Sequence, residues 1–314
     1  MPETLIINFN PALDRTAVVD RYNPYGVNKA KELIVLPGGK GVNLGRALKT
    51  LGYTDFVCSG IIGGNIGRLY NALLDREGIP NDFFWIRDET RIAYATYEES
   101  TGVGVITNEQ GPNVTEEEIT GLNNFIITKY TTANIIILSG GSPPGVPPED
   151  IRGLVNIFKN KDKQIFIDTS GDILRLCADT GPYCLKINED ELKDAFGVDL
   201  EAKDALREFY SSLARLGTKW LIVTRGENGA VFIVDNKVLS GKNKRIYSHY
   251  AIGSGDAFLA GILYGSLKRF SPEEILTLAM SCGCANTLHF GACVFDREDC
   301  ERIKNEIIIE ESYL

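Results

Sequence analysis

The most constraining feature of the sequence is a repeated alternation of short apolar runs with amphipathic helical stretches. Runs such as 134–140 and 220–225 are apolar at consecutive positions, which is typical of strands buried on both faces of a parallel sheet. Strands that alternate with helices predict an α/β fold with a doubly wound, mostly parallel sheet flanked by helices. The predicted strands cover residues 4–9, 55–62, 134–140, 164–170, 184–188, 220–225 and 230–235.

Two segments, residues 14–36 and 91–107, interrupt this alternation. Polar and apolar side chains alternate in them with no helix between, which predicts antiparallel hairpin strands with one face in solvent. We expect a small antiparallel β lid or dimer contact inserted into the α/β body. Because no linker, repeat or low-complexity tract is visible, residues 1–314 are predicted to form one domain.

The overall charge restricts the partners of the protein. Asp and Glu outnumber Lys and Arg by 42 to 33, giving a formal net charge of −9. Nucleic acids and anionic membranes both reward a basic surface, so neither is an expected partner. No apolar run approaches the roughly 20 residues that span a bilayer, and the acidic N-terminus does not resemble a signal peptide. We therefore expect a cytoplasmic protein.

The motif GSGD at 253–256 opens a long apolar stretch. Glycines let the backbone turn sharply, and the free amides of a helix N-terminus favour an anion. The functional interpretation is an anion site beside one carboxylate, Asp256. The alternative is an ordinary helix start capped by Ser254 or Asp256.

A second glycine-rich loop, PGGKGVN at 37–43, also leads into a helical stretch. Its backbone amides, Lys40 and Asn43 could cradle a polar small ligand that carries an anionic group. The alternative is a connecting loop with a solvated lysine. The P-loop, the nucleophile elbow and the dinucleotide fingerprint are all missing from the sequence.

Three further motifs follow predicted strands, where sheets of this kind bind ligands. SGGSPPG follows the strand at 134–140, and VTRGENG ends the strand at 220–225. KINEDE carries Asn188 and Glu191 three positions apart, a pair that could hold a hydrated Mg²⁺ ion. A capped, acidic helix start explains the same pair without a metal.

Taken in order, these motifs resemble those of the ribokinase-like, PfkB-type carbohydrate kinases. The resemblance covers the full chain and is carried by NPALD, GGKGVN, TR at 90–91, GP at 111–112, SGGSPPG, K-x-N-x-x-E, T-x-G-x-x-G and GSGD. Within the family the chain is similar to the branch of 1-phosphofructokinase and tagatose-6-phosphate kinase. The resemblance implies an ATP- and Mg²⁺-dependent kinase.

The resemblance also implies roles for individual residues. Asp256 matches the base that takes the proton from the attacking sugar hydroxyl, and the amides of Gly253, Ser254 and Gly255 match an anion hole for the transferred phosphoryl group. The substrate positions are Asp14, Gly38, Gly39 and Asn43 for the sugar and Lys29, Lys40, Arg91 and Ser139 near its existing phosphate. The nucleotide positions are Lys186, Asn188, Thr224, Gly226, Gly229 and Asn286, and the Mg²⁺ positions are Asn188 and Glu191.

The substrate implied by the resemblance is a phosphorylated ketohexose. Phosphorylation of fructose 1-phosphate to fructose 1,6-bisphosphate is the preferred activity, with tagatose-6-phosphate kinase as the alternative. A non-catalytic sugar-phosphate sensor on the same fold is a third interpretation, and the intact GSGD motif argues against it. The resemblance further implies a homodimer formed through the β lid.

Overall fold

The fold is described by a computed structural model for residues 2–102, 104–202, 204–243 and 250–313. The strands are β1 (Thr4–Asn8), β2 (Ala12–Val19), β3 (Glu32–Gly38), β4 (Phe56–Gly63), β5 (Phe84–Ile86), β6 (Arg91–Glu98), β7 (Gly104–Asn108), β8 (Ile135–Ser139), β9 (Gln164–Asp168), β10 (Cys184–Asn188), β11 (Trp220–Thr224), β12 (Ala230–Val234), β13 (Lys237–Asn243) and β14 (Ile307–Tyr313). The helices are α1 (Lys40–Thr50), α2 (Gly64–Glu77), α3 (Glu116–Lys129), α4 (Pro148–Lys159), α5 (Gly171–Ala178), α6 (Glu189–Phe196), α7 (Ala205–Leu216), α8 (Ser254–Leu267), α9 (Pro272–Asn286) and α10 (Arg297–Lys304).

The large sheet has the strand order β14-β13-β12-β11-β10-β9-β8-β1-β4-β5 in the described part of the chain. Neighbouring strands run parallel from β5 to β11, and β12, β13 and β14 continue the sheet antiparallel. All seven predicted strands are present, so the predicted α/β fold with a mostly parallel sheet is confirmed.

The continuous apolar runs arise because the sheet is covered on both faces. Ile6 packs in a core with α1, α2, α8, α9 and α10, whereas its neighbours Leu5 and Ile7 pack in a second core with α3, α4, α5, α6 and α7. Alternate residues of one strand therefore enter different cores, and both must be apolar. Among the described residues, no helix is both long and apolar enough to cross a membrane.

The lid is a separate sheet of four strands in the order β3-β2-β6-β7. Both of its hairpins, β2 with β3 and β6 with β7, are antiparallel as predicted. The two inner strands, β2 and β6, run parallel to each other, because each hairpin leaves the body in the same direction. Val103, in the second predicted lid segment, lies outside the described residues.

Candidate active site

A cleft of about 560 Å³ lies between the lid and the carboxyl ends of the parallel strands. Its walls come from the lid, the starts of α1 and α8, and the ends of β10 and β11. Most of the predicted site residues line this cleft, namely Asp14, Gly39, Lys40, Asn43, Arg91, Lys186, Asn188, Glu191, Thr224, Gly226, Gly253, Gly255 and Asp256. Six predicted residues are not part of its lining: Lys29, Gly38, Ser139, Gly229, Ser254 and Asn286.

Asp256 stands in the first turn of α8 and is 5% exposed. The helix is fixed because its residues 257–263 are buried in the core. Oδ2 of Asp256 accepts a hydrogen bond from Nδ2 of Asn43 at 2.9 Å. Burial, helped by the charge of Asp168, raises the pKa of Asp256 to about 6, against the opposing effects of Lys40 and the Asn43 hydrogen bond. A buried carboxylate with such a pKa is suited to accept a proton near neutral pH.

The residues predicted to form the anion hole lie at the start of α8. Gly253 adopts a left-handed conformation (φ 86°), and a Cβ there would lie 2.9 Å from Cβ of Ala292, so only glycine fits. The amide of Ser254 donates to the carbonyl oxygen of Ala251 at 3.2 Å and is therefore not free for a phosphoryl oxygen. Gly253 and Gly255 line the cleft and Ser254 does not, and the predicted anion hole of three amides stays a prediction.

Asn286 supports the loops around the start of α8, and its predicted contact with the nucleotide stays a prediction. Its side chain is fully buried, and Nδ2 donates to the carbonyl of Ile252 and to Oγ of Ser254, both at 2.9 Å. Its Oδ1 accepts from the amide of Cys293 at 2.7 Å. The side-chain amide of Asn286 therefore ties the start of α8 to the loop after α9, and Asn286 does not line the cleft.

Two ammonium groups converge on the carboxylate of Asp168, which is not among the predicted site residues. Nζ of Lys40 and Nζ of Lys186 lie 3.2 and 3.1 Å from Oδ1 of Asp168, which is fully buried. Burial alone would raise the pKa of Asp168, but the two lysines hold it below its ordinary value. The available signal was a charged residue at the end of the predicted strand 164–170, at the ligand-binding edge of the sheet.

The ammonium of Lys40 belongs to the group around Asp168 and lies 3.9 Å from Oε1 of Glu191. A Cβ on Gly255 would lie 3.4 Å from Nζ of Lys186, so this second cation stands directly over the anion hole. Both lysines therefore face the region expected for the nucleotide phosphates. For Lys40, the predicted position near the phosphate of the sugar stays a prediction.

Asp14 lies on β2 of the lid and faces the cleft. Burial raises the pKa of Asp14 to about 7, although Arg46 and Arg91 oppose this effect. Gly38 lies directly behind Asp14, since a Cβ at this position would overlap the Asp14 carboxylate. The structure thus explains the glycine at position 38 by the space that the Asp14 side chain needs, and its predicted contact with substrate stays a prediction.

The predicted phosphate-binding residues are dispersed. Arg91 lines the cleft, and its guanidinium is oriented by hydrogen bonds to the carbonyl oxygens of Asn10 (3.2 and 3.1 Å) and Glu109 (3.2 Å). Ser139 ends β8 and is buried, with no partner for its Oγ among the described residues. Lys29 is exposed in the connection between β2 and β3 and reaches no wall of the cleft of its own chain.

Asn188 and Glu191 form the reciprocal cap of α6. Oδ1 of Asn188 accepts from the amide of Glu191 at 2.8 Å, and Oε2 of Glu191 accepts from the amide of Asn188 at 2.9 Å. The helix-start interpretation is therefore confirmed. The cap leaves Oε1 of Glu191 facing the cleft, where its nearest cation is the ammonium of Lys40 at 3.9 Å. Oxygen atoms of this kind are the ligands that Mg²⁺ prefers. The residues present fit a hydrated Mg²⁺ ion.

Two glycines predicted to bind the nucleotide, Gly226 and Gly229, lie in the turn after β11 and have different surroundings. Thr224 and Gly226 line the cleft. Gly229 has a φ of 93°, and a Cβ there would collide with the carbonyl of Gly241 on β13. The lack of a side chain at Gly229 therefore lets the turn between β11 and β12 pack against β13, and its predicted role in nucleotide binding stays a prediction.

Comparison with known proteins identifies the family of this chain. The sequence profile of the pfkB family carbohydrate kinases matches residues 8–299. The chain belongs to this family. As a pfkB carbohydrate kinase, the protein is an ATP-dependent enzyme, and the cleft with Asp256 is its candidate active site.

Individual relatives extend over nearly the whole chain. The 1-phosphofructokinase of Borreliella burgdorferi is 28% identical over 314 residues, covering 98% of both chains. The 1-phosphofructokinase of Vibrio cholerae is 26% identical over 311 residues, covering 99% of this chain and 98% of the relative. Phosphofructokinase-2 of Escherichia coli, solved with substrates and products, shares the fold with a TM-score of 0.88 at 23% identity, covering 97% and 99% of the two chains.

Proposed function

We propose that this pfkB kinase transfers the γ-phosphoryl group of ATP to fructose 1-phosphate and forms fructose 1,6-bisphosphate. Relatives named 1-phosphofructokinase, 26% and 28% identical over almost the whole chain, support this substrate. The observation that carries the proposal is the composition of the cleft. It holds a buried base, Asp256, together with an oriented guanidinium, Arg91, which suits the phosphate that the sugar already carries.

In the proposed reaction, Asp256 accepts the proton of the attacking hydroxyl as the oxygen bonds to the γ-phosphorus. Phosphoryl transfer depends mainly on positioning and on charge stabilisation. The amides of Gly253 and Gly255 can bind the phosphoryl oxygens, and Lys40 and Lys186 can neutralise the charge that develops on them. The carboxyl of Asp14 is placed to bind sugar hydroxyls.

A bound Mg²⁺ ion would supply positive charge that neutralises the phosphates of the nucleotide. In this cleft, Glu191 and the carbonyl oxygen of the Asn188 side chain would hold it, in part through water. The protein residues then retain the tasks of orienting the sugar, accepting its proton and excluding water.

The sugar is tested by comparing kcat/KM for fructose 1-phosphate, tagatose 6-phosphate and unphosphorylated fructose. We expect fructose 1-phosphate to give the highest value and fructose the lowest, because Arg91 has no anion to bind in fructose. A tenfold advantage for tagatose 6-phosphate would replace the proposed substrate with the alternative. Absence of turnover with every sugar phosphate would favour a sensor.

We further propose that two chains pair through their lids. The strand register places Leu33 and Val105 on the outer face of the lid with Tyr94, and their side chains are 50%, 44% and 43% exposed. A sheet face of this kind is covered when it meets a second copy. Light scattering should give a dimer that Leu33→Asp dissociates; a fully active wild-type monomer would refute the pairing.

A further inference from the structure

Arg46 on α1 is a buried cation that the proposed chemistry does not use. It is 8% exposed, and its guanidinium donates to four different residues. Nε and Nη2 bind the carboxylate of Glu77 at 2.7 and 3.3 Å. Nη1 donates to Oδ1 of Asn43 at 3.1 Å and to the carbonyl of Ala292 at 2.9 Å, and Nη2 donates to the carbonyl of Pro37 at 2.6 Å. The guanidinium of Arg46 is therefore held in one orientation by partners within the protein.

We propose that Arg46 is a positioning residue that orients the base Asp256 through the side chain of Asn43. Arginine has only donors, so the atom of Asn43 that faces Arg46 must be the amide oxygen. The amide nitrogen of Asn43 is then turned to Asp256, where it donates to Oδ2 at 2.9 Å. This bond occupies one oxygen of the carboxylate and leaves Oδ1 of Asp256 for the proton of the sugar hydroxyl.

The same guanidinium joins the loops on either side of the base. Pro37 immediately precedes the glycine loop at 38–39, and Ala292 packs against Gly253 of the anion hole. Glu77 on α2 neutralises Arg46, so a buried charge can be kept at this place without a direct pairing to Asp256. One side chain therefore links the substrate loop, the base and the anion hole.

The contacts that lead from Arg46 through Asn43 to Asp256, called the relay below, also affect the pKa of Asp256. A donor to a carboxylate favours its ionised form and lowers its pKa. Loss of the Asn43 orientation should therefore raise the pKa of Asp256 and move the acid limb of the pH–rate profile to higher pH. The other titratable groups that act on Asp256 or Arg46 are Lys40, Lys186, Asp168, Asp14 and Cys293.

The test compares Arg46→Lys with Asn43→Ala and with the double variant. Arg46→Lys keeps the positive charge but loses the planar guanidinium that contacts several partners at once. In the pH profile of log kcat, we expect Arg46→Lys to move the acid limb to higher pH by about one unit. The same variant should lower kcat at pH 8 by roughly tenfold. The same change in the Asn43→Ala background should add almost nothing. Additive shifts, or an unshifted limb in Arg46→Lys, would overturn the relay.

Asn43→Asp provides a variant whose folding is protected, because the new carboxylate can pair with Arg46. Asn43→Asp removes the hydrogen-bond donor to Asp256, so the acid limb of its log kcat profile should also move to higher pH. An unmoved limb would contradict the proposal. The inference rests on the proposed role of Asp256. A ¹³C NMR titration of the aspartate carboxyls without substrate, assigned with Asp256→Asn, separates the two: the Asp256 titration should move in Arg46→Lys even if no sugar tested is phosphorylated.

Discussion

The ring of Tyr97 in the lid packs against the ring of Tyr250 in the body, edge to face, with 5.2 Å between their centroids. Tyr250 is 2% exposed and stands three residues before Gly253. On its other side it meets Phe290 at 5.8 Å. The lid is therefore in packed contact with the segment that leads into the anion hole.

We expect Tyr97→Ala to raise the KM of the sugar phosphate by roughly tenfold, because the lid loses an aromatic pair and buried area that hold it over the cleft. The KM of ATP should change less. Tyr97→Phe keeps the ring and is the matched control, with constants close to those of the wild type. Equal constants for Tyr97→Ala and Tyr97→Phe would show that this contact does not position the lid.

Arg91 and Lys40 are expected to differ in steady-state kinetics. Arg91→Ala removes charge-assisted hydrogen bonds of about 1.5–3 kcal/mol and should raise the KM of the sugar phosphate roughly 10- to 150-fold. Lys40→Ala should instead lower kcat by about 10²–10³, since its ammonium lies with Lys186 near the transferred group. Arg87→Ala, at an exposed position outside the cleft, is the control. A pure KM effect in Lys40→Ala would place this lysine on the sugar instead.

Asn286→Ala should lower kcat by roughly 10- to 100-fold while the KM of ATP stays within about threefold. The reason is that its amide holds Ile252 and Ser254 in front of α8. Ser254→Ala removes one of these contacts and should give a smaller loss. A large increase in the KM of ATP with an unchanged kcat would restore the nucleotide contact implied by the family resemblance.

Asp14→Asn is expected to stabilise the free protein at high pH and to impair the enzyme. The pKa of Asp14 rises from 3.8 to about 7 on folding, so the folded state holds the proton more tightly. Wild-type stability therefore falls as the pH rises from about 4 to about 7, whereas an asparagine has no proton to lose. Thermal unfolding should show a gain of roughly 5 °C at pH 8 and little gain near pH 4.

The control for this prediction is Asp20→Asn. Asp20 lies on the lid surface with its side chain 85% exposed, and its Tm should be unchanged at both pH values. A lower Tm for Asp14→Asn at pH 8 would mean that the attraction of Arg46 and Arg91 for the Asp14 carboxylate outweighs its burial.

The parallel strands of the sheet were predictable because burial on both faces leaves no room for polar residues. The strands β5, β13 and β14 were not predicted. β5 has three residues, too few for a pattern, and β14 has mostly exposed positions with charged residues at its centre. Edge strands of this kind are specified by pairing with a neighbour, as β14 pairs with β13, and carry little signal of their own.

Most residues that line the cleft could be predicted from their motifs and from their positions after strands. The buried residues that support the lining could not. Asp168 ends a predicted strand at the ligand-binding edge, but its partner Lys40 lies 128 positions away, so their pairing is visible only in the fold. Arg46 lies only three positions from Asn43, but the sequence does not show that its side chain is buried. Asn286 was assigned from the resemblance alone. Only its burial and its three hydrogen bonds reveal that it ties the start of α8 to the loop after α9.

The most direct test of the account is the turnover of Asp256→Asn with ATP and fructose 1-phosphate. Asparagine keeps the shape of the side chain and an oxygen for the Asn43 amide, but it cannot accept the proton of the sugar hydroxyl. We predict that kcat falls by about 10²–10⁴ while the KM of the sugar phosphate stays within about threefold and the Tm shows a folded protein. A variant that retains more than about a tenth of the wild-type kcat would contradict the assignment of Asp256 as the base.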